Sequence, residues 1–302
     1  LDRRVSARAD GAEIAALHAA PDARFLLFID GKCAILSSAD RSLASIRWFD
    51  AGALAALGIA SHDALFLGLD PEGRGGRFAV ALASEQAARH ADALRPAVDL
   101  RSLALQGVMS ADELSLLAQA KSLADWNETH GFCGKCGAPA ESTDGGWKRV
   151  CTSCGRETFP RIDPVVIMLV TDGERCVLAR EARFPPGMHS AIAGFIEPGD
   201  DLEHAVRRET KEEIGLDVED VRYQLSQPWP FPHSLMLGCL AIAKFKDLRI
   251  DTAELEAARW FGRDEVAAML EGRHADALTL PGPHAIANTL VRRWLAHPSL
   301  AC

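Results

Sequence analysis

Residues 194–216 read GFIEPGDDLEHAVRRETKEEIGL and pose a physical problem that few folds solve. At about 100° per residue, Leu202, Thr210 and Ile214 fall within about 80° of Val206, so the segment is expected to be a helix with one core-facing stripe. Glu213 lies about 20° from the centre of that stripe, Glu209 about 60°, and Glu212 near its edge, while Arg207, Arg208 and Lys211 point away. Inward carboxylates are costly unless a cation neutralises them. Three of them together point to divalent metal, and hard oxygen donors suit magnesium or manganese better than zinc.

A second metal is written into the cysteines. Four of the eight are paired as Cys133-x2-Cys136 and Cys151-x2-Cys154 with 14 residues between the pairs, while Cys33, Cys176, Cys239 and Cys302 are scattered. The N-terminal LDRRVSARADGAEIAALHAA lacks the apolar core of a secretory signal, so a reducing cytoplasm is expected and the paired set reads as a metal site rather than a disulfide framework. Each Cys-x2-Cys makes a tight knuckle, and four thiolates close a tetrahedral sphere. One structural zinc per chain follows, supplying the folding free energy that so short a segment cannot obtain from a core. A redox CxxC would not need two pairs. Lys135, Lys148, Arg149 and Arg156 are only a modest basic complement for a nucleic-acid ribbon.

At 302 residues the chain has room for more than one core, and 48% of its residues are apolar. The net charge of −9, with no long basic run, argues against binding nucleic acid by bulk phosphate neutralisation. No apolar run reaches the roughly 18 residues of a membrane span, and no membrane partner is expected. Apolar runs at Phe25–Ile29, Ala34–Leu36, Ala64–Leu67 and Phe78–Leu82 are separated by Asp30-Gly31 and the cluster Gly73–Gly76, and a helical pattern follows at Ala111–Trp126. That reads as a small N-terminal α+β domain without a catalytic constellation. After the cysteines, Val165–Val170 and Cys176–Arg180 read as a hairpin, and Ala191–Phe195 leads into the acidic helix. Val218–Ser226 and Leu235–Ala243 are further strands, and Ala285–Trp294 is a closing amphipathic helix. The expected division is 1–127, 128–158 and 159–302.

The acidic segment resembles the Nudix box, G-x5-E-x7-R-E-U-x-E-E-x-G-U with U apolar. Gly194, Arg208, Glu209, Glu212, Glu213, Gly215 and Leu216 match in register. Asp200 stands where the pattern has its first glutamate, and Thr210 where it has an apolar residue. Asp200 with Glu203 also has the spacing of a capping box, which gives Asp200 the expected role of helix cap. Further on, Ser226–Ser234 reads SQPWPFPHS, closely similar to the signature of the NADH pyrophosphatases, the NudC-like family. That family also has an N-terminal domain, a four-cysteine ribbon and a Tyr-Pro-Arg segment ahead of its Nudix domain. Here Phe159-Pro160-Arg161 stands in place of the last.

The resemblance implies an α+β chain: a Nudix α/β/α sandwich with a mixed sheet, preceded by a zinc ribbon and the N-terminal domain. It implies a hydrolase of phosphoric anhydrides that splits the pyrophosphate of NADH or NAD into nicotinamide mononucleotide and AMP. The 5′ end of NAD-capped RNA is a further implied substrate. Glu209, Glu213, Glu254 and the carbonyl of Ala193 would hold more than one Mg²⁺ or Mn²⁺ per site. Glu256, two residues on, competes with Glu254 for that position. One of Glu212, Glu213 and Glu254 would take the proton as water attacks, and Glu213 is favoured. Phe159 and Phe195 would stack on the substrate's base from two subunits of a homodimer, although 159–164 also fits a simple connector. Gln227, Pro228, Trp229, Pro230, Phe231, Pro232, His233 and Ser234 of the signature, with Tyr223 and Ala287, complete the implied substrate contacts. Two other readings remain open: a Nudix hydrolase of ADP-ribose or other dinucleotides, and a non-catalytic scaffold that binds RNA or a partner. Retention of all three box glutamates counts against the scaffold.

Overall fold

The computed structural model describes residues 1–70, 75–82, 84–89 and 94–297, so half of the Gly73–Gly76 turn and Cys302 lie outside the described residues. By contact the chain divides into two compact units, one of Leu1–Arg161 with Pro230–His233, the other of Ile162–Trp229 with Ser234 onward. Among the described residues no helix is long and apolar enough to cross a membrane.

The first unit contains α1 (Gly11–Ala19), β1 (Arg24–Ile29), β2 (Lys32–Ser37), β3 (Ala44–Ile46), α2 (Ala51–Ala56), β4 (Leu65–Leu69), β5 (Gly76–Leu82), α3 (Ser84–Arg89), β6 (Ala97–Val98), α4 (Leu100–Gln106) and α5 (Ala111–Thr129). Its sheet runs β3-β2-β1-β5-β4, with β6 beside β2. Strands β1 and β2 form a hairpin at the expected Asp30-Gly31 turn, closed by Asp30 at φ 49° and Gly31 at φ 73°, with both central residues left-handed. The central pair β1 and β5 is parallel and buried on both faces. Leu26 and Phe28 of β1 pack toward Leu117, Ala120 and Leu123 of α5. Phe25 and Leu27 point into a second cluster with Phe66 and Phe78. Helix α5 begins at an N-cap serine: Ser110 accepts from the Glu113 amide at 3.3 Å and donates to its carboxylate at 2.8 Å. Phe231 packs within this unit against the α5 cluster, and Ser122 Oγ donates to the Pro232 carbonyl at 3.2 Å.

Three short strands, β7 (Ala140–Thr143), β8 (Lys148–Cys151) and β9 (Glu157–Thr158), make the cysteine-bearing ribbon of the same unit. The ribbon has little core, so it borrows one. Trp147 Nε1 donates to the Phe66 carbonyl at 2.7 Å, and the Arg8 guanidinium lies 3.7 Å from the Trp147 ring centroid. A Cβ at Gly146 would come 2.4 Å from a Leu65 methyl, so only glycine lets the ribbon approach this closely. Asn127 donates to the Gly146 carbonyl at 2.9 Å, and Arg149 donates to the Asn127 carbonyl at 2.8 Å.

The second unit contains β10 (Asp163–Thr171), β11 (Arg175–Arg180), β12 (Ile192–Phe195), α6 (Leu202–Ile214), β13 (Val218–Trp229), β14 (Ser234–Ala243), β15 (Ala257–Gly262), α7 (Arg263–Leu270) and α8 (Ile286–Ala296). Its sheet runs β13-β14-β10-β11-β15, with β12 also paired to β10. Only β10 and β14 run parallel, so the sheet is mixed as expected. Strand β10 alternates between two cores: Val166, Met168 and Val170 pack with Val206 and Ile214 of α6, whereas Ile167 and Leu169 pack with Leu290 and Trp294 of α8. Helices therefore cover both faces, and the fold is an α/β/α sandwich. The strand expected at Val218–Ser226 does not stop at Ser226. Instead β13 continues through Trp229. It is an edge strand, where Pro228 need not donate a ladder hydrogen bond, and only Pro230–His233 form the turn.

Because Trp147 joins the ribbon to Phe66, Trp147→Ala should destabilise the first unit by about 3 kcal/mol, the lower end for a buried aromatic truncation, since this ring is half-buried. Urea unfolding of the full chain should show an early transition of the ribbon and N-terminal sheet that is absent in the parent.

Candidate functional site

The four ribbon cysteines converge. Their sulfurs lie 3.8 Å (Cys133–Cys154), 3.5 Å (Cys136–Cys151) and 3.6 Å (Cys136–Cys154) apart. Tetrahedral zinc with Zn–S near 2.3 Å requires about 3.8 Å between sulfurs, so the set fits zinc. Amides of Lys135 and Cys154 point at the sulfurs of Cys133 and Cys151, each at 3.4 Å. The N–H groups of Cys154 and Ser153 hold the Cys151 thiol down to about 6, favouring the thiolate that a metal needs. Among the described residues, this is the only group of three or more His, Cys, Asp or Glu side chains whose ligand atoms all lie within 4.8 Å of one another.

The acidic site lies wholly in the second unit and starts from α6. Asp201, not Asp200, caps this helix, accepting from the His204 amide at 2.7 Å, and Gly215 ends it in the left-handed conformation at φ 75°. Asp200 is occupied elsewhere. It accepts from Arg208 at 3.0 and 3.1 Å, which is why the aspartate one residue on serves as the cap. Thr210 occupies an apolar position with its hydroxyl satisfied, donating to the Val206 carbonyl at 2.7 Å. Glu209 and Glu213 are buried, at 9% and 5% exposure, while Glu212 stands in solvent. The expectation of three inward carboxylates thus holds for Glu209 and Glu213 and fails for Glu212, which stands beyond the edge of the buried stripe.

Two neighbours accommodate Glu209 of the buried pair. A Cβ on Gly194 would come 2.0 Å from the Glu209 carboxyl carbon, so the box glycine is the space into which that carboxylate fits. Arg208 curls back over the helix and donates to Glu209 at 2.8 Å, to Glu212 at 3.0 Å and to the Phe195 carbonyl at 2.8 Å. Glu213 has no such cation. Burial first, then the charges of Glu209, Glu254, Glu181 and Glu212, push its carboxyl up to about 8. Burial also raises Glu209.

A cleft of about 290 Å³ opens beside Glu213, with Ala193, Glu254, Glu181, Arg183 and Phe184 among its walls. Glu254 sits in the turn before β15 rather than in a strand, and it lines this cleft. Its competitor Glu256 instead forms an ion pair with Arg180 at 3.1 Å. Carboxylates from a helix, a turn and the end of β11 thus surround one space. Their oxygens are hard donors, only Glu181 among them being paired with a cation, Arg183, and they fit divalent cations of the magnesium or manganese kind. Glu181 was not anticipated from sequence, because nothing in the spacing of Arg180-Glu181 ties it to the helix. Only the end of β11 brings it there.

The other candidate residues fall into two groups. Phe195 ends β12 with its ring 58% exposed, two residues beyond Ala193 on the same face of the strand. Tyr223 is exposed on β13, and Phe159, after β9 in the first unit, is exposed as well. Others hold the fold. Gln227 donates to the His284 carbonyl at 2.7 Å and accepts from the Ile286 amide at 2.9 Å, capping α8, whose own N-cap Ala285 has no side-chain acceptor. Ala287 is buried in the first turn of α8, and Phe231 lies among the apolar side chains of the first unit. Pro228 and Pro232 are exposed, Pro230 is buried, and Trp229, His233 and Ser234 are half-buried.

Three family models match in succession. An NADH pyrophosphatase-like rudimentary NUDIX domain covers residues 23–126, an NADH pyrophosphatase zinc ribbon domain 128–159, and a NUDIX domain 161–281. Over 242 residues the chain is 43% identical to a Mycobacterium bovis protein named NAD-capped RNA hydrolase NudC, covering 78% of this chain and 76% of that one. It is 45% identical over 193 residues to the NAD-capped RNA hydrolase NUDT12 of Macaca fascicularis, a match of 61% of this chain but only 42% of that protein's length. To the human mitochondrial NAD(P)H pyrophosphatase NUDT13 it is 41% identical over 209 residues, 66% of this chain and 59% of the relative.

The raised Glu213 carboxyl has a stability consequence. Without divalent metal the folded state holds a proton on Glu213 that the unfolded chain releases, so stability falls as pH rises from about 4.5 to about 8. Melting temperatures of metal-free wild type and Glu213→Gln across that window should therefore diverge, with the variant the more stable of the two toward pH 8. Parallel curves would show that Glu213 does not titrate in this way.

Proposed function

The chain belongs to the NADH pyrophosphatase (NudC-like) family of Nudix hydrolases, and on that premise we propose that it hydrolyses the pyrophosphate bond of NADH or NAD. The products are AMP and nicotinamide mononucleotide, reduced or oxidised according to the substrate. The observation that carries the proposal is the buried, uncompensated Glu213 beside a cleft that Glu254 also lines. Such a site is stable in its charged form only with cations in it.

More than one Mg²⁺ or Mn²⁺ ion, when bound, would offset the charge of the diphosphate and make water a better nucleophile. Glu209, Glu213, Glu254 and the Ala193 carbonyl are the groups proposed to hold the ions. Arg208 acts as a positioning residue, tying Glu209 and Glu212 to the Phe195 backbone. As water attacks one phosphorus, the P–O–P bond breaks, the departing mononucleotide takes the bridging oxygen, and the proton of the water passes to a glutamate. Glu213 is the proposed acceptor within the set Glu212, Glu213 and Glu254, because a neighbouring cation favours its charged form.

The exposed ring of Phe195 is proposed to stack on a base of the substrate, with Phe159 of a second chain on the other side, so that the working enzyme is a homodimer. Losing a phenol hydroxyl at 159 leaves the stacking face intact. Tyr223, Trp229, Ser234 and the rest of the signature would frame the substrate, with Gln227 acting through the start of α8. The names of the relatives support the 5′ end of NAD-capped RNA as a second substrate of the same site. A cytoplasmic setting and the division 1–127, 128–158 and 159–302 belong to the same proposal.

Purified protein with Mg²⁺ or Mn²⁺ should convert NADH and NAD to the two mononucleotides, and Glu213→Gln should cut turnover at least about a hundredfold at an unchanged fold. Much faster cleavage of ADP-ribose than of either dinucleotide would move the assignment to another Nudix substrate. No hydrolysis at all would favour a scaffold. For the dimer, mixing the variants Phe159→Ala and Glu213→Gln under subunit exchange should restore activity. A chain that is monomeric yet fully active would refute shared sites.

A further inference from the structure

One wall of the cleft is built by a loop that none of the sequence motifs covers, EARFPPGM at 181–188. Arg180 fixes this loop from beneath. Its guanidinium donates to the carbonyls of Phe184 at 3.0 Å and Pro185 at 2.5 Å, and Glu256 holds its Nε at 3.1 Å. The Phe184 amide closes a turn on the Glu181 carbonyl at 3.0 Å, and the Met188 amide another on Pro185 at 3.1 Å. Gly187 sits at φ 78°, where a Cβ would come 2.7 Å from the Ala277 carbonyl oxygen. With the carbonyls of Glu181, Phe184 and Pro185 bonded and its glycine wedged, the loop is a fixed wall. Glu181, Arg183 and Phe184 stand on it, lining the same cleft as Ala193, Glu213 and Glu254.

Among the described residues that line this cleft, Arg183 is the single cation. It meets Glu181 side-on, with Nε 2.5 Å from Oε2 and Nη2 3.1 Å from Oε1. That pairing engages Nε–H and one Nη2–H and fixes the plane of the guanidinium. The end-on edge keeps Nη1–H and the second Nη2–H, two parallel donors spaced for two oxygens of one phosphate. Its side chain is 79% exposed, so a ligand can reach that edge. Everything else charged on these walls is a carboxylate and repels a phosphate. Divalent ions can offset that repulsion beside Glu213 and Glu254, and Arg183 can do so from the loop.

We infer that Arg183 is a phosphate-binding residue of the cleft, engaging the diphosphate of a nucleotide end-on while Glu181 orients it from the side. The inference rests on the proposed NAD(H) hydrolysis for the identity of the nucleotide, and on the loop geometry for the phosphate contact.

Calorimetric titration of the full chain with inorganic pyrophosphate in the presence of Mg²⁺ tests the contact directly. Arg183→Gln should weaken binding about tenfold, the size of a lost pair of charge-assisted hydrogen bonds, at an unchanged melting temperature. Arg183→Lys, which keeps the charge but not the fork, should recover only part of that loss. With NADH the loss should fall on KM more than on kcat. Pyrophosphate affinity within twofold of wild type in Arg183→Gln, or no pyrophosphate binding by the wild type, would overturn the inference. A wild type that binds pyrophosphate but leaves NADH and NAD intact would instead overturn the functional proposal, and the titration would still decide Arg183.

Discussion

Burying two carboxylates one helical turn apart is the constraint around which the second unit is arranged. Glu209 and Glu213 lie on the inner side of α6, where each charge needs a compensating partner. The fold solves half of this itself. Glu209 has the cavity left by Gly194 and the guanidinium of Arg208, and Arg208 is in turn held by Asp200, Glu212 and the Phe195 carbonyl. Strand β12, the loop before the helix and the helix itself are thereby fastened at one point. The other half is left to the ligand, since burial and neighbouring carboxylates act most strongly on Glu213 and both disfavour its charge.

The first unit rests on a different economy of interactions. Its ribbon is held at one end by four thiols and at the other by Trp147 and Gly146 against the N-terminal sheet. Neither end alone resembles a hydrophobic core. Zinc bound to the thiols would, together with the Trp147 contact, replace the area that a segment of this size cannot bury. The thiols and the Trp147 contact therefore stabilise one structure together, and weakening either should loosen both.

Much of this architecture is legible in the chain because the relevant signals are periodic or closely spaced. The helical period of Leu202–Ile214 turns Glu209 and Glu213 inward, although it leaves Glu212 at the edge of the stripe where the structure has it in solvent, and the twin Cys-x2-Cys pairs locate the ribbon. Where tertiary contacts decide, the sequence is silent or misleading. Asp200 and Asp201 are equivalent as caps until Arg208 claims the first. Glu254 and Glu256 cannot be told apart by spacing, and the Arg180 pair separates them. Gln227 sits in a motif that suggests ligand contact, yet its amide caps a helix 59 residues away. Glu181 reaches the cleft only through the pairing of β11 within the sheet.

Strand β12 has a metric consequence. Ala193 at the cleft and Phe195 with its exposed ring are successive residues on one face, and two steps of extended chain span about 7 Å. Pairing with β10 from Val165 to Met168 holds that interval fixed, and Arg208 grips its far end. The strand therefore acts as a ruler laid between a flat aromatic surface and an acidic cavity. Ligands would be sorted by the length between their planar and polyanionic parts as much as by the identity of either. A one-residue slip of β12 would turn the ring to the opposite face of the sheet and abolish the measure altogether.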